Sequence, residues 1–215
     1  MPHAFLYALI VFVVAAACLL LCGLSRLLTA RPPSAQVTIA LTTLALCAAA
    51  LTLWPAGLVC TDLLVVACGL FAGVLLGRSL GSKPSLLAFL VVAAIVDLIS
   101  SRMGPTHLLV EQARTTRGIA IIQFLTLCIR WHGTLLPLIG VGDLFFFTAC
   151  VIAARRLGWP GLAACLVPLA GILAALTVGL LLGPTPALPF LAVSMAVYMG
   201  IASLRKAPAK LPVQD

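Results

Sequence analysis

Asp97 lies within the apolar run VVAAIVDLIS and Asp143 within LIGVGDLFFF, and the triplet Pro186-Ala187-Leu188 opens a further apolar run. A carboxylate at mid-bilayer costs roughly 2.5–3.5 kcal/mol on insertion scales, so two at comparable depth call for a shared reason. A catalytic pair supplies one. Sharing a single proton, one carboxylate acts as general base on a water molecule while the other, protonated, acts as acid toward a scissile carbonyl. Like charges close together in a poorly solvated site split the two macroscopic proton affinities, so that acid and base coexist at one pH. The chemistry such a pair would do is hydrolysis of a peptide bond by water, with no cofactor.

The elements that must hold these residues are membrane helices. Of 215 residues, 63% are hydrophobic and 8% charged, and the mean hydropathy is +1.25. Little polar sequence separates the apolar runs, which leaves no room for a soluble domain and predicts an all-α, polytopic transmembrane helix bundle. About seven spans are expected, near residues 4–25, 36–56, 58–78, 84–101, 134–154, 159–182 and 184–204. The first has no basic residues ahead of it and is read as a true span rather than a cleaved signal peptide. Residues 1–83 then form an N-terminal three-span region, and residues 84–215 carry both aspartates and the Pro-Ala-Leu triplet. The connection 101–133 holds the apolar stretch Gly118–Cys128, too short to span, which reads equally as an interfacial helix or a strand near the bilayer surface.

Depth brings the candidate residues together. Asp97 stands seven residues before Gly104 on a span that exits into the long connection, and Asp143 nine residues after Thr134 on the span that returns from it. At about 1.5 Å per residue both carboxylates fall roughly 10–14 Å below the same surface. The last span begins on that side as well, which puts Pro186, Ala187 and Leu188 in the same half of the membrane. Gly140 and Gly142, just ahead of Asp143, let another backbone approach or let the helix start unwind. Pro186 and Pro189 free backbone groups at the start of the last span, where an extended peptide could pair with main chain.

These residues carry a family resemblance. Gly140-Val141-Gly142-Asp143 and Pro186-Ala187-Leu188-Pro189 resemble the Gly-X-Gly-Asp and Pro-Ala-Leu motifs of the presenilin and signal peptide peptidase family. Asp97-Leu98, Gly104-Pro105, Leu109-Val110-Glu111 and Ala113 resemble the stretch following the first catalytic aspartate of presenilins. The resemblance covers Asp97 to the end of the chain and only poorly the first three spans. It implies an intramembrane aspartyl protease of compact, prokaryotic type with a presenilin-like catalytic half. Asp97 and Asp143 would be the catalytic pair, Gly140 and Gly142 would shape the site, and Pro186, Ala187 and Leu188 would position substrate. Val96 stands where the family commonly has tyrosine, so no hydroxyl is available there to orient the site.

Each feature alone has a bland explanation. A single membrane aspartate more often packs helices or lines an ion path, and Gly-X-Gly-Asp or Pro-Ala-Leu strings arise by chance in a chain this rich in those residues. Their order and matched depth favour the protease. A proton-coupled transporter using paired carboxylates as a relay is the alternative, and it would predict inverted repeats, none of which is evident. Prepilin peptidases share a Gly-X-Gly-Asp aspartate, but the chain lacks the Cys-X-X-Cys pairs many of them carry, and a scaffold that merely binds helices would need neither aspartate.

The remaining polar residues set topology and partners. The formal charge is +8, but the 13 basic residues sit singly or in pairs at the ends of apolar runs, which argues for lipid headgroups and against nucleic acid. One side of the seven-span bundle collects Arg26, Arg31, Arg78, Lys83, Arg155, Arg156, Arg205, Lys206 and Lys210. That side is read as cytoplasmic, with the C-terminus, and the N-terminus and long connection lie outside a prokaryotic cell membrane. The partners expected are the bilayer and transmembrane-helix substrates. The eight cysteines show no ligand spacing and read as buried thiols, and His3, His107 and His132 form no metal set. Asp62 reads as a carboxylate near a helix start.

Overall fold

The structure, a computed structural model, describes residues 2–30, 58–103, 126–131, 134–183 and 185–205, with isolated positions between 32 and 42. Six helices and one hairpin follow in chain order among them: α1 (Pro2–Thr29), α2 (Leu58–Ser79), α3 (Lys83–Met103), β1 (Thr126–Trp131), β2 (Thr134–Gly140), α4 (Val141–Arg156), α5 (Gly161–Leu182) and α6 (Leu188–Arg205). Leu6–Thr29, Asp62–Ser79, Lys83–Arg102 and Gly161–Leu182 are long and apolar enough to cross a membrane, as a membrane protein requires, and Leu188–Leu204 forms a shorter apolar helix. The expected span 36–56 lies almost wholly outside the described residues, as do Gly104-Pro105 and Leu109 to Ala113.

The bundle is mostly helical, as expected, and a short hairpin is added to it: Thr126–Trp131 and Thr134–Gly140 pair as antiparallel strands, Trp131 opposite Thr134 and Thr126 opposite Gly140. The span expected at 134–154 is therefore split. Its first seven residues are β2, and helix begins only at Val141. Pro137 suits the strand, because it stands opposite Cys128 at a register shift, where a residue without an N–H is accommodated. That shift falls at Leu127/Cys128, where Leu127 faces Ile139 but Cys128 faces Pro137.

α4 is the centre of the bundle. Leu144, Phe147, Ala149, Cys150 and Val151 are fully enclosed, and a helix apolar on every side belongs in an interior. Its closest neighbour is α2, which meets it through three glycines one turn apart. A Cβ on Gly69 would stand 2.8 Å from Leu144 Cβ, one on Gly73 2.5 Å from Thr148 Cβ, and one on Gly77 2.6 Å from the Ala149 carbonyl oxygen. Without side chains at these positions the two backbones approach closely, which replaces the hydrophobic drive that lipid does not supply. Thr148 turns its hydroxyl back onto the Leu144 carbonyl at 2.8 Å, so the contact buries no unsatisfied donor.

The other helices complete the ring. α5 packs on α4 and α6, and α3 joins the bundle chiefly through α6, with a stacked Phe89–Phe146 pair, centroids 5.4 Å apart, linking α3 to α4 directly. The reading of all eight cysteines as thiols is also corrected: α1 and α5 bring Cys22 and Cys165 to a Cα separation of 6.2 Å, and the two are joined as a disulfide. Cys18, Cys128 and Cys150 remain thiols.

Candidate active site

Asp143 sits at the third position of α4, and the residue before that helix, Gly140, is extended at φ −74°, ψ 153°. The first N–H groups of any helix lack intrahelical acceptors, and a carboxylate in the first turn is favoured by the helix dipole. Asp143 Oδ2 accordingly accepts the Gly140 N–H at 3.2 Å. The strand-to-helix junction at Gly140-Val141 thus fixes where this carboxylate stands. Gly142 is exposed, and a Cβ there would meet nothing within 4 Å, so the backbone preceding Asp143 is open on that side.

Asp97 reaches its place from a different direction. It is partly buried on the last third of α3, and its Oδ2 accepts the Leu188 N–H at 3.1 Å, with the Ala187 N–H close by. Leu188 opens α6, whose first helical bond runs from the Leu191 N–H to the Ala187 carbonyl at 3.1 Å. Ala187 and Leu188 therefore present two orphan donors of a helix N-terminus, and Asp97 caps that of Leu188 from another helix. The proline at 186 precedes this cap, and Pro189 lies in the first turn of α6, where its missing N–H costs nothing.

The two carboxylates come within electrostatic range of each other, although α3 and α4 are separated in sequence by the long connection and the hairpin. Cys18 of α1, fully enclosed, also lies near enough to feel the Asp143 charge. Asp97, Asp143, Gly140, Gly142, Pro186, Ala187 and Leu188 are thus grouped around two helix starts, at the end of α4 opposite Arg155 and Arg156. No group of three or more His, Cys, Asp or Glu side chains gathers among the described residues.

Asp62 has a larger part than a helix-start carboxylate. Its Oδ1 accepts the Cys128 N–H at 3.0 Å, which ties α2 to β1 at the register shift, where the opposing Pro137 has no N–H of its own. Because β2 runs directly into Gly140, the Asp62–Cys128 bond braces the strand that delivers Asp143. The sequence signal was a third acidic residue in apolar surroundings, weak without knowledge of the hairpin. Comparison with models of known protein families, with characterised proteins and with solved structures found no match to the chain.

Proposed function

We propose that the chain is an intramembrane aspartyl endopeptidase of the presenilin and signal peptide peptidase type. The observation that carries this reading is that Asp97 and Asp143, from sequence-distant helices, lie within electrostatic range of each other, with Asp97 bonded to the backbone of the Pro-Ala-Leu segment. With one proton between them, one carboxylate takes a proton from water as the oxygen attacks the scissile carbonyl. The other donates to the carbonyl oxygen, and collapse of the tetrahedral species expels the amine. Among the described residues β2, which leads into Asp143, pairs only with β1, and an unwound substrate segment would pair along its other edge as an added strand beside Gly142.

In the bilayer of a prokaryotic cell, with the arginine-rich helix ends cytoplasmic and the N-terminus outside, substrates would present their N-termini to the cytoplasm. The test is cleavage of a panel of tagged single-span substrates, including signal-peptide remnants, by purified protein and by its Asp97→Ala and Asp143→Ala variants. Product lost in both variants while each stays folded supports the protease. Product persisting in either variant removes the assigned pair, and proton uptake into proteoliposomes abolished by the same substitutions favours the transporter.

A further inference from the structure

Four arginines converge at the end of the bundle remote from the aspartates. Arg26, Arg78, Arg155 and Arg156 occupy the last turns of α1, α2 and α4, where a cation is favoured by the helix dipole. Dipole compensation accounts for each singly but not for their gathering. Arg78, Arg155 and Arg156 line one cavity of about 500 Å³ together with Thr29 and Ile152, and Arg26 and Arg155 lie close enough to repel each other. No carboxylate among the described residues balances them. Asp62 is about 24 Å from Arg78 along α2, and Asp143 about 18 Å from Arg155 along α4, at 1.5 Å per residue.

Arg155 is partly committed, donating to Ser25 Oγ at 3.2 Å and to the Cys22 carbonyl at 3.1 Å. A guanidinium has five N–H donors, so several are left for a ligand. Thr29 and Arg155 also line a second cleft of about 580 Å³, which Arg26 borders at one end and Leu19, Leu162 and Leu166 continue as an apolar groove. These leucines are 51%, 76% and 50% exposed on the outer face of α1 and α5. A cationic cradle opening into an apolar groove on a bilayer-facing surface matches an amphiphile with an anionic head.

We propose that this site binds an anionic phospholipid, its phosphate held by Arg78, Arg156, Arg26 and the free donors of Arg155, and one acyl chain laid along Leu19, Leu162 and Leu166. Basic residues at a membrane surface attract anionic lipid additively, so loss of two should weaken binding about tenfold or more. The groove distinguishes lipid from soluble phosphate, which would leave the leucines uncovered.

The experiment is native mass spectrometry of the full chain in detergent, titrated with phosphatidylglycerol or with phosphatidylcholine of the same chains. Preferential retention of phosphatidylglycerol is expected, reduced about tenfold in Arg78→Gln/Arg156→Gln and unchanged in Arg102→Gln, at the opposite end of the bundle. The double variant spares Arg155, whose bonds hold α1 on α4, and its thermal unfolding reports whether it stays folded. Arg78→Lys/Arg156→Lys, which keeps the charge, should retain most of the binding. Equal retention of the two lipids, or undiminished phosphatidylglycerol binding in the glutamine variant, overturns the site. So does millimolar glycerol 3-phosphate that binds alone and displaces the lipid, because the cavity would then be read by a soluble phosphate.

Discussion

α4 and α3 carry one aspartate each, and they are built on opposite plans. α4 is enclosed along its middle, its Leu144, Phe147 and Cys150 without exposure, and it holds Asp143 through its own helix start. α3 is peripheral: Val92, Val96 and Ile99 face outward at 58–60% exposure, and Asp97 is located by its bond to the first residue of α6. One carboxylate is therefore set by a packed core and the other by a reach across to a neighbour's orphan donors. The separation of the pair depends less on α3 itself than on where α6 begins.

The sharpest way to break the comparison is to remove the charges while keeping the bonds. Asparagine still offers an oxygen to the Leu188 or Gly140 N–H, so Asp97→Asn and Asp143→Asn should each leave thermal stability in detergent within about 1 kcal/mol of wild type. Cleavage should nevertheless fall on the order of 10³-fold, as for loss of general acid–base catalysis. If the carboxylates only cap helices, both readouts stay level. The wild-type pH–rate profile should be a bell: below the lower apparent pKa of the pair both are protonated and no base remains, and above the upper both are ionised and no acid remains. A profile with a single limb would contradict the shared proton.

Packing should separate the two helices nearly as clearly. Gly73→Val drives its side chain into Thr148 and the Phe145 carbonyl, at distances too short to relax without moving backbone. It should cost about 3 kcal/mol or more in reversible unfolding in mixed micelles. Val92→Ala, on the outward face of α3, should cost less than about 0.5 kcal/mol. Similar costs for the two would mean that α4 is not the enclosed helix described above.

Smaller again is the effect of the hairpin brace. Asp62→Ala leaves the Cys128 N–H without its acceptor and should lower stability by about 1–2 kcal/mol. Cleavage should fall about tenfold through misplacement of the strand leading to Asp143. Asp62→Asn, which keeps an acceptor, should restore most of both. Equal losses in the two variants would point to the charge of Asp62 rather than to its bond.

The residues of the candidate site stand out in the sequence more than the scaffold around them. Asp97, Asp143 and the Pro-Ala-Leu segment could be matched because charged or helix-breaking residues in apolar runs are costly and so stand out. The hairpin could not, because Thr126–Arg130 and Leu135–Ile139 are as apolar as a span and short apolar runs do not announce their period. That ambiguity merged β2 with α4 into one expected helix. The α2–α4 contact was written in Gly69, Gly73 and Gly77 at four-residue spacing, yet the glycines near Asp143 drew attention first. Cys22 and Cys165, 143 residues apart, carry no local pattern that pairs them.

The glycine stripe also bears on how the chain is made. α2 leaves the ribosome well before α4, with α3 and the hairpin between them, so its bare stripe enters the bilayer without the helix it is shaped to meet. Until α4 is inserted the N-terminal helices have their principal partner missing, and a nascent chain stalled before Val141 would offer that stripe to membrane quality control. Biogenesis and the proposed catalysis thus wait on the same segment: the helix that brings Asp143 is the one that lets α2 settle.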